Sequence, residues 1–343
     1  MEMVAKAMRQ SKKYCVFSRT NDNLTFSLVD YRNNHFISDD PNKIIEFYNG
    51  FDTRDELIQW MKERPRGVAN IHEVEGDKDI IVVIPTADLN GKYAKECRDN
   101  IFKGLHIIFV ESGEVPDPYF NYAHNCNVGI RKAMEYNPKW VVLSNDDVNS
   151  DYKPKDLISE LSKLDNGSLN MVFCTNGYQT ATKTSVHKLN MLGLITFRFL
   201  SISGIYRVMN KKYRAHISAF ILNRKFKNRY ITFGDSKGVK NYLYRKIYSY
   251  VNFEAFGIFS GRYFNKDSGL FDETYINWHE DQDVSIILSR EPNKIAWINY
   301  GIEGVGGGTL QNSLQRILGG LASESYLSYK IENGLIGNSV IPS

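Results

Sequence analysis

The stretch Trp140-Val141-Val142-Leu143-Ser144-Asn145-Asp146-Asp147-Val148 decides how this chain folds. Its opening residues are a short apolar run of the kind that fills a fully buried strand. The run then stops abruptly at an amide and two adjacent carboxylates. In open α/β sheets ligands collect outside the carboxyl ends of the strands, and hard oxygen donors there suit a divalent cation holding a phosphate. Taken alone, Asp146-Asp147 reads equally as a solvated turn, because strand ends favour Asp and Asn for local hydrogen bonding.

Two apolar runs upstream repeat the pattern. Ile80-Ile81-Val82-Val83-Ile84 stops at Pro85-Thr86, and Leu105-His106-Ile107-Ile108-Phe109-Val110 stops at Glu111-Ser112. Helices are predicted over Tyr93–Phe102, Asn127–Tyr136 and Asp156–Leu164, the second ended by Asn137-Pro138, and another strand over Met171–Cys174. This alternation predicts an α/β fold with a doubly wound, mostly parallel sheet and right-handed crossovers. Thr86, Glu111 and Asn145 to Asp147 then share one rim. Further along, Phe253–Phe259 resumes the core. It is followed by the turn Gly269–Thr274, a helix with an acidic first turn over Asp281–Arg290, a last strand at Ile295–Ile298 and a mobile glycine-rich loop at Gly304–Gly308.

A chain of 343 residues with 42% apolar content can bury a large core. Cys15, Cys97, Cys126 and Cys174 are scattered without a CxxC pair, which argues against a disulfide framework or a zinc site and for a reducing compartment. The N-terminus lacks the apolar core of a signal peptide, and no uncharged stretch reaches the ~20 residues that span a bilayer. A cytoplasmic location is expected. Between Lys183 and Lys246 fifteen Lys/Arg face one acidic residue, Asp235, so this segment carries +14 of a net +4 and leaves the rest at −10. A solvated face is the default for such a charge run, but this one exceeds what solubility requires and predicts an anionic partner. Leu189–Met209 inside it is apolar and aromatic, as expected of an interfacial helix or one buried under an active-site lid. Together they point to peripheral contact with an anionic membrane surface. No nucleic-acid module is recognisable, so nucleic acid is not the expected partner.

Residues 1–78 read as a small α+β accessory unit. Strands are expected at Tyr14–Phe17 and Leu24–Val29, and a helix over Arg54–Lys62 with Thr53 as N-cap and Glu56 as its capping-box partner. The polar stretch His72–Lys78 reads as a linker. Residues 79–310 read as the core, with 183–246 as a basic and aromatic insertion, and 311–343 read as a helical tail.

In order along the chain, these residues resemble the family 2 glycosyltransferases, inverting enzymes of the GT-A fold, a Rossmann-like mixed sheet flanked by helices. The resemblance spans roughly residues 79–310. Val83-Ile84-Pro85-Thr86 looks like the opening strand that meets the nucleotide, and Glu111 stands where the family usually has Asp. Asn127-Val128-Gly129 is similar to the Asn-x-Gly helix start, and Asn145-Asp146-Asp147 to the Asp-x-Asp metal motif with Asn first. Gly269-Leu270-Phe271-Asp272-Glu273 resembles the acceptor-side turn, and Glu280-Asp281-Gln282-Asp283 the motif that carries the catalytic base.

The resemblance implies a nucleoside diphosphate sugar donor bound by Pro85, Thr86, Glu111, Asn127, Gly129, Asn145 and Asp146. It implies Mn²⁺ or Mg²⁺ on Asp147 with Asn145, and a glycan or lipid-linked glycan acceptor at Asp272, Trp278 and His279. Asp281 is the expected base, with Glu280 second. Each residue also has a plainer reading. Asp281 alone is a helix-start carboxylate facing the macrodipole, Trp278 is packing, His279 and His106 are structural histidines, and Asn127-Gly129 is an ordinary helix start. The sequence also departs from the family, which often completes its metal site with a His after the last core strand. Here Gly301-Ile302-Glu303-Gly304-Val305 offers only Glu303. Two rival readings therefore stand. One is a nucleotide- or glycan-binding protein of the same fold without turnover. The other is a nucleotidyltransferase, which ranks lower because Pro85-Thr86-Ala87-Asp88-Leu89-Asn90 is not a glycine-rich basic loop.

Overall fold

The structure is a computed structural model describing residues 38, 40–112, 119–177, 181–190, 222–223, 225–234, 244–265, 267, 269–276, 278–305 and 313–336. The strands expected at Tyr14–Phe17 and Leu24–Val29 lie outside the described residues, as do most of Leu189–Met209 and the loop after Val305.

A seven-stranded mixed sheet organises the chain. Its strands are β1 (Asn70–Val74), β2 (Asp77–Thr86), β3 (Leu105–Glu111), β4 (Trp140–Ser144), β6 (Met171–Asn176), β10 (Phe256–Ser260) and β11 (Ile295–Gly301), in the order β1-β3-β2-β4-β10-β6-β11. Five strands run one way, and β1 and β10 run against them. The architecture is thus α/β with a largely parallel central sheet, compatible with a Rossmann-like fold. The period-2 alternation of the strands sorts the core. Ile80, Val82 and Ile84 face a cluster with Phe102 and Leu157, whereas Ile81 and Val83 face another with Cys126 and Ile130. The stretch expected as a linker, His72–Lys78, supplies the end of β1 and the start of β2 instead. Its polar side chains suit an edge strand that is half in water.

The helices are α1 (Pro41–Asn49), α2 (Arg54–Glu63), α3 (Lys92–Glu96), α4 (Tyr122–Met134), α5 (Pro154–Leu161), α6 (Glu280–Leu288) and α7 (Ser313–Glu332). Asp40 caps α1 through Asn42 N, with Pro41 at the first helical position. Thr53 caps α2 through Glu56 N, but Glu56 returns its carboxylate to Asp52 N rather than to Thr53. After α3 the chain continues as one π turn over Cys97–Ile101. Helix α4 starts five residues before the expected Asn127, because Asn121 is the residue whose side chain accepts from His124 N.

A second sheet, β8-β7-β9 (Tyr230–Gly234, Thr182–Leu189, Tyr244–Asn252), occupies the described part of the basic insertion. It joins α1, α2, α6 and α7 around a third apolar cluster containing Phe47, Trp60, Tyr250, Ile286 and Leu321. Residues 44–61 and 318–336, far apart in sequence, therefore pack together against this sheet and α6. No helix among the described residues is long and apolar enough to cross a membrane.

Candidate active site

The carboxyl ends of β2, β3 and β4 form the expected rim. Thr86 pairs in register with Glu111, and Thr86 Oγ1 donates a 2.8 Å hydrogen bond to Asp146 Oδ2. Pro85 is buried within β2, in register with Val110 of β3. Glu111 is partly committed: one oxygen accepts from Leu89 N at 2.9 Å, and the other lies 3.2 Å from His72 Nε2. Burial raises the Asp146 pKa and the charge of Asp147 adds to this, while the Thr86 bond works against it. Asp147 is 7% exposed, and its carbonyl accepts from Val305 N at 2.8 Å. That bond and the short pair β5-β12 (Val148–Asn149 with Glu303–Gly304) bring residues 303–305 alongside Asp147. Glu303 sits exposed on that strand, opposite Asn149.

Asn127 and Gly129 do something other than expected. Both lie inside α4, away from its start. The Asn127 oxygen accepts from Leu270 N (2.8 Å) and Phe271 N (3.0 Å), and its amide donates to Phe271 O (2.9 Å) and Glu273 Oε1 (3.0 Å). With every polar position spent on the turn at 269–273, none is left for a nucleotide. Gly129 lets the helix approach the sheet, since a Cβ there would stand 2.3 Å from Val83 Cγ1. Asp272 likewise turns inward. Its carboxylate accepts from Lys330 Nζ at 3.0 Å, from Tyr326 Oη at 2.8 Å and from Thr274 N at 3.0 Å, so it holds α7 instead of presenting itself to an acceptor.

Glu280 and Asp281 open α6 and form a tightly interacting acidic pair. Glu280 is 5% exposed and accepts from Trp278 N at 2.6 Å. Burial and the neighbouring Asp281 charge push its pKa up to about 8. Asp281 accepts from Asn252 Nδ2 at 2.6 Å. Burial raises its pKa to about 6, the Asn252 bond opposes the rise, and Glu254 reinforces it. Immediately before the pair, Trp278 and His279 adopt φ of 128° and 70°, positive values that cost energy in residues with a Cβ and cluster at functional sites. Trp278 stays 42% exposed, and its ring stacks on His279.

Two links tie the rim to this pair. Tyr122, the first residue of α4, donates from Oη to Asn145 Oδ1 at 2.9 Å and lies within electrostatic reach of both Glu280 and Asp281. Asn145 N donates to Ala255 O at 2.9 Å, and the adjoining Glu254 acts on Asp281. Tyr122, Asn252 and Glu254 are the site residues that sequence reasoning missed. The only signal for Tyr122 was its position directly after the true cap, Asn121.

Among the described residues no group of three or more His, Cys, Asp and Glu forms a metal cage. Mg²⁺ and Mn²⁺ in phosphate-handling sites are commonly held by one or two carboxylates, with water and substrate phosphates completing the shell. Asp147 together with Asp146 fits that donor set. Asn145 fits it less well, because its oxygen is occupied by Tyr122. Comparison with models of protein families, with characterised proteins and with solved structures finds no match to this chain.

Proposed function

We propose that this chain is an inverting, metal-dependent glycosyltransferase with a GT-A core, similar to the family 2 enzymes. It would move a sugar from a nucleoside diphosphate sugar to a hydroxyl of a glycan or lipid-linked glycan. The observation that carries this reading is Tyr122, which is hydrogen-bonded to Asn145 of the rim and within electrostatic reach of both Glu280 and Asp281. Asp281 has the raised pKa and the fixed orientation of a general base that takes the acceptor proton near neutral pH. Glu280 keeps its proton there, so the two carboxyls divide into a base and a neutral neighbour. Asp147 and Asp146 would hold Mn²⁺ or Mg²⁺, which when bound offsets charge on a diphosphate leaving group. The exposed Trp278 ring supplies an apolar face for an acceptor sugar.

The basic insertion supports an acceptor that carries phosphate. Lys188 stands directly opposite Arg245 in the β7-β9 register, and both are exposed. Like charges opposed across a ladder are unfavourable unless an anion joins them. A lipid-linked acceptor at an anionic membrane surface would supply that anion, and stronger partitioning onto anionic than onto neutral liposomes is the result expected.

A nucleotide- or glycan-binding protein without turnover is the second reading. It is favoured by Asn145 Oδ1 and Asp146 Oδ2 both being committed to internal bonds. Incubation with a panel of UDP-, GDP- and dTDP-sugars, Mn²⁺ and candidate acceptors decides between them. Transfer with inverted anomeric configuration is expected, whereas donor binding without any transfer would favour the second reading.

A further inference from the structure

Lys330 lies near the end of α7, in a part of the chain where the sequence offered no chemistry. Its side chain is 2% exposed. An ammonium group is almost never that buried unless paired. Two carboxylates meet it, Asp272 Oδ2 at 3.0 Å and Asp283 Oδ2. Tyr326, one turn earlier, donates to the same Asp272 oxygen. The rings of Tyr275 and Tyr326 flank the ammonium with centroids at 5.5 and 5.6 Å.

The two carboxylates come from different segments. Asp272 belongs to the turn that Asn127 holds, and Asp283 sits in the first turn of α6, two residues after Asp281. Farther up α7, Ser323 Oγ accepts from Ile276 N at 3.3 Å. Gly320 leaves room for the Trp278 ring, which a Cβ would meet at 2.0 Å. Replacing a buried ion pair by apolar residues is often neutral or stabilising, so stability alone is a poor reason for this one.

We propose that Lys330 is a positioning residue. By holding Asp272 and Asp283 on one ammonium, it fixes the first turn of α6, and Asp281 with it, against the 269–274 turn and Trp278. The proposal rests on the reading of Asp281 as the base. Lys330 itself touches no reacting atom and acts through Asp283 and the helix that carries it.

The test compares the wild-type chain with Lys330→Met and with the charge-balanced double variant Lys330→Met/Asp283→Asn, which leaves fewer buried carboxylates unmatched and serves if the single variant fails to fold. Both are expected to keep the melting shift produced by donor sugar and Mn²⁺, and to lose about 100-fold in kcat with little change in acceptor KM, as a misplaced base would. Wild-type kcat in the double variant would overturn the proposal and leave Lys330 a mere counter-charge. A second readout does not depend on turnover. In a Trp297→Phe background, iodide quenching reports the exposed Trp278 indole, and Lys330→Met should change it. If the wild-type chain transfers no sugar, the functional reading fails on its own. Unchanged quenching would overturn the positioning role separately.

Discussion

Asn252 Nδ2 donates a 2.6 Å hydrogen bond to Asp281 Oδ2, and Asn252 Oδ1 accepts from Ser285 Oγ at 3.0 Å. With both ends engaged, the amide cannot flip without losing a bond, so the carboxylate of the proposed base has a defined orientation. The bond also favours the ionised form of Asp281. Asn252→Ala should therefore lower kcat by about 10- to 100-fold, part of what an oriented base supplies. It should also move the acidic limb of the pH–rate profile upward. A pH–rate series on wild type and variant checks both, and an unmoved limb would show that Asn252 does not act on the base.

The acid pair makes a paired prediction for pH. Burial raises both carboxyls, and the Asp281 charge raises Glu280 further, so Glu280 is still protonated when Asp281 becomes available as a base. Glu280→Gln should thus leave the Asp281 limb in place. A folded-state pKa raised above its unfolded value gives stability that is present at low pH and is lost as pH rises through the folded value. Removing the ionisable group removes that loss. The melting temperature of Glu280→Gln should match wild type at pH 5 and exceed it at pH 9, as read by calorimetry.

Two glycines should respond differently to alanine. At Gly129 the added Cβ would meet Val83 Cγ1 at 2.3 Å and Val110 Cγ2 at 2.9 Å, both inside the sheet. Gly129→Ala should cost about 1–3 kcal/mol, the usual range for overpacking. Gly320→Ala lies in a helix, where the exchange normally gains about 1 kcal/mol, but its Cβ would strike the movable Trp278 ring. Denaturant melts should show loss of stability at Gly129. At Gly320 they should show little loss, together with weakened acceptor binding.

Asn125, at 0% exposure and one turn before Gly129 on α4, has no partner among the described residues for either amide atom. An unsatisfied buried polar group costs about 1–3 kcal/mol. Asn125→Leu should raise the melting temperature if the site is purely structural, whereas a drop would mean that the amide binds an ordered water whose removal is costly.

Much of the fold was legible in the sequence, because its strongest signals are local. The runs Ile80–Ile84, Leu105–Val110 and Trp140–Leu143 are uninterrupted and β-branched, and each is a central strand ending at the polar group that the pattern marked. The stretch His72–Lys78, which holds the end of edge strand β1, reads as a linker because one side of that strand meets water, which removes the apolar run. The antiparallel insertion of β10 between β4 and β6 leaves no mark in a period-2 pattern, since strand direction does not change which residues face the core. Asn127 was found as a residue of consequence, but its partners are 144 and 146 positions away, and only tertiary structure shows that they exhaust its amide. Lys330 was invisible for the same reason: a lysine in an amphipathic helix reads as solvated until two distant carboxylates are seen against it.

Manganese-dependent thermal shift with nucleotide sugars, run side by side on wild type, Asp147→Asn and Asp281→Asn, tests the central claim most directly. Wild type and Asp281→Asn should be stabilised by donor plus metal, Asp147→Asn should lose that stabilisation, and Asp281→Asn should form no product. A wild-type chain that no nucleoside diphosphate sugar stabilises, with or without manganese, would contradict the account.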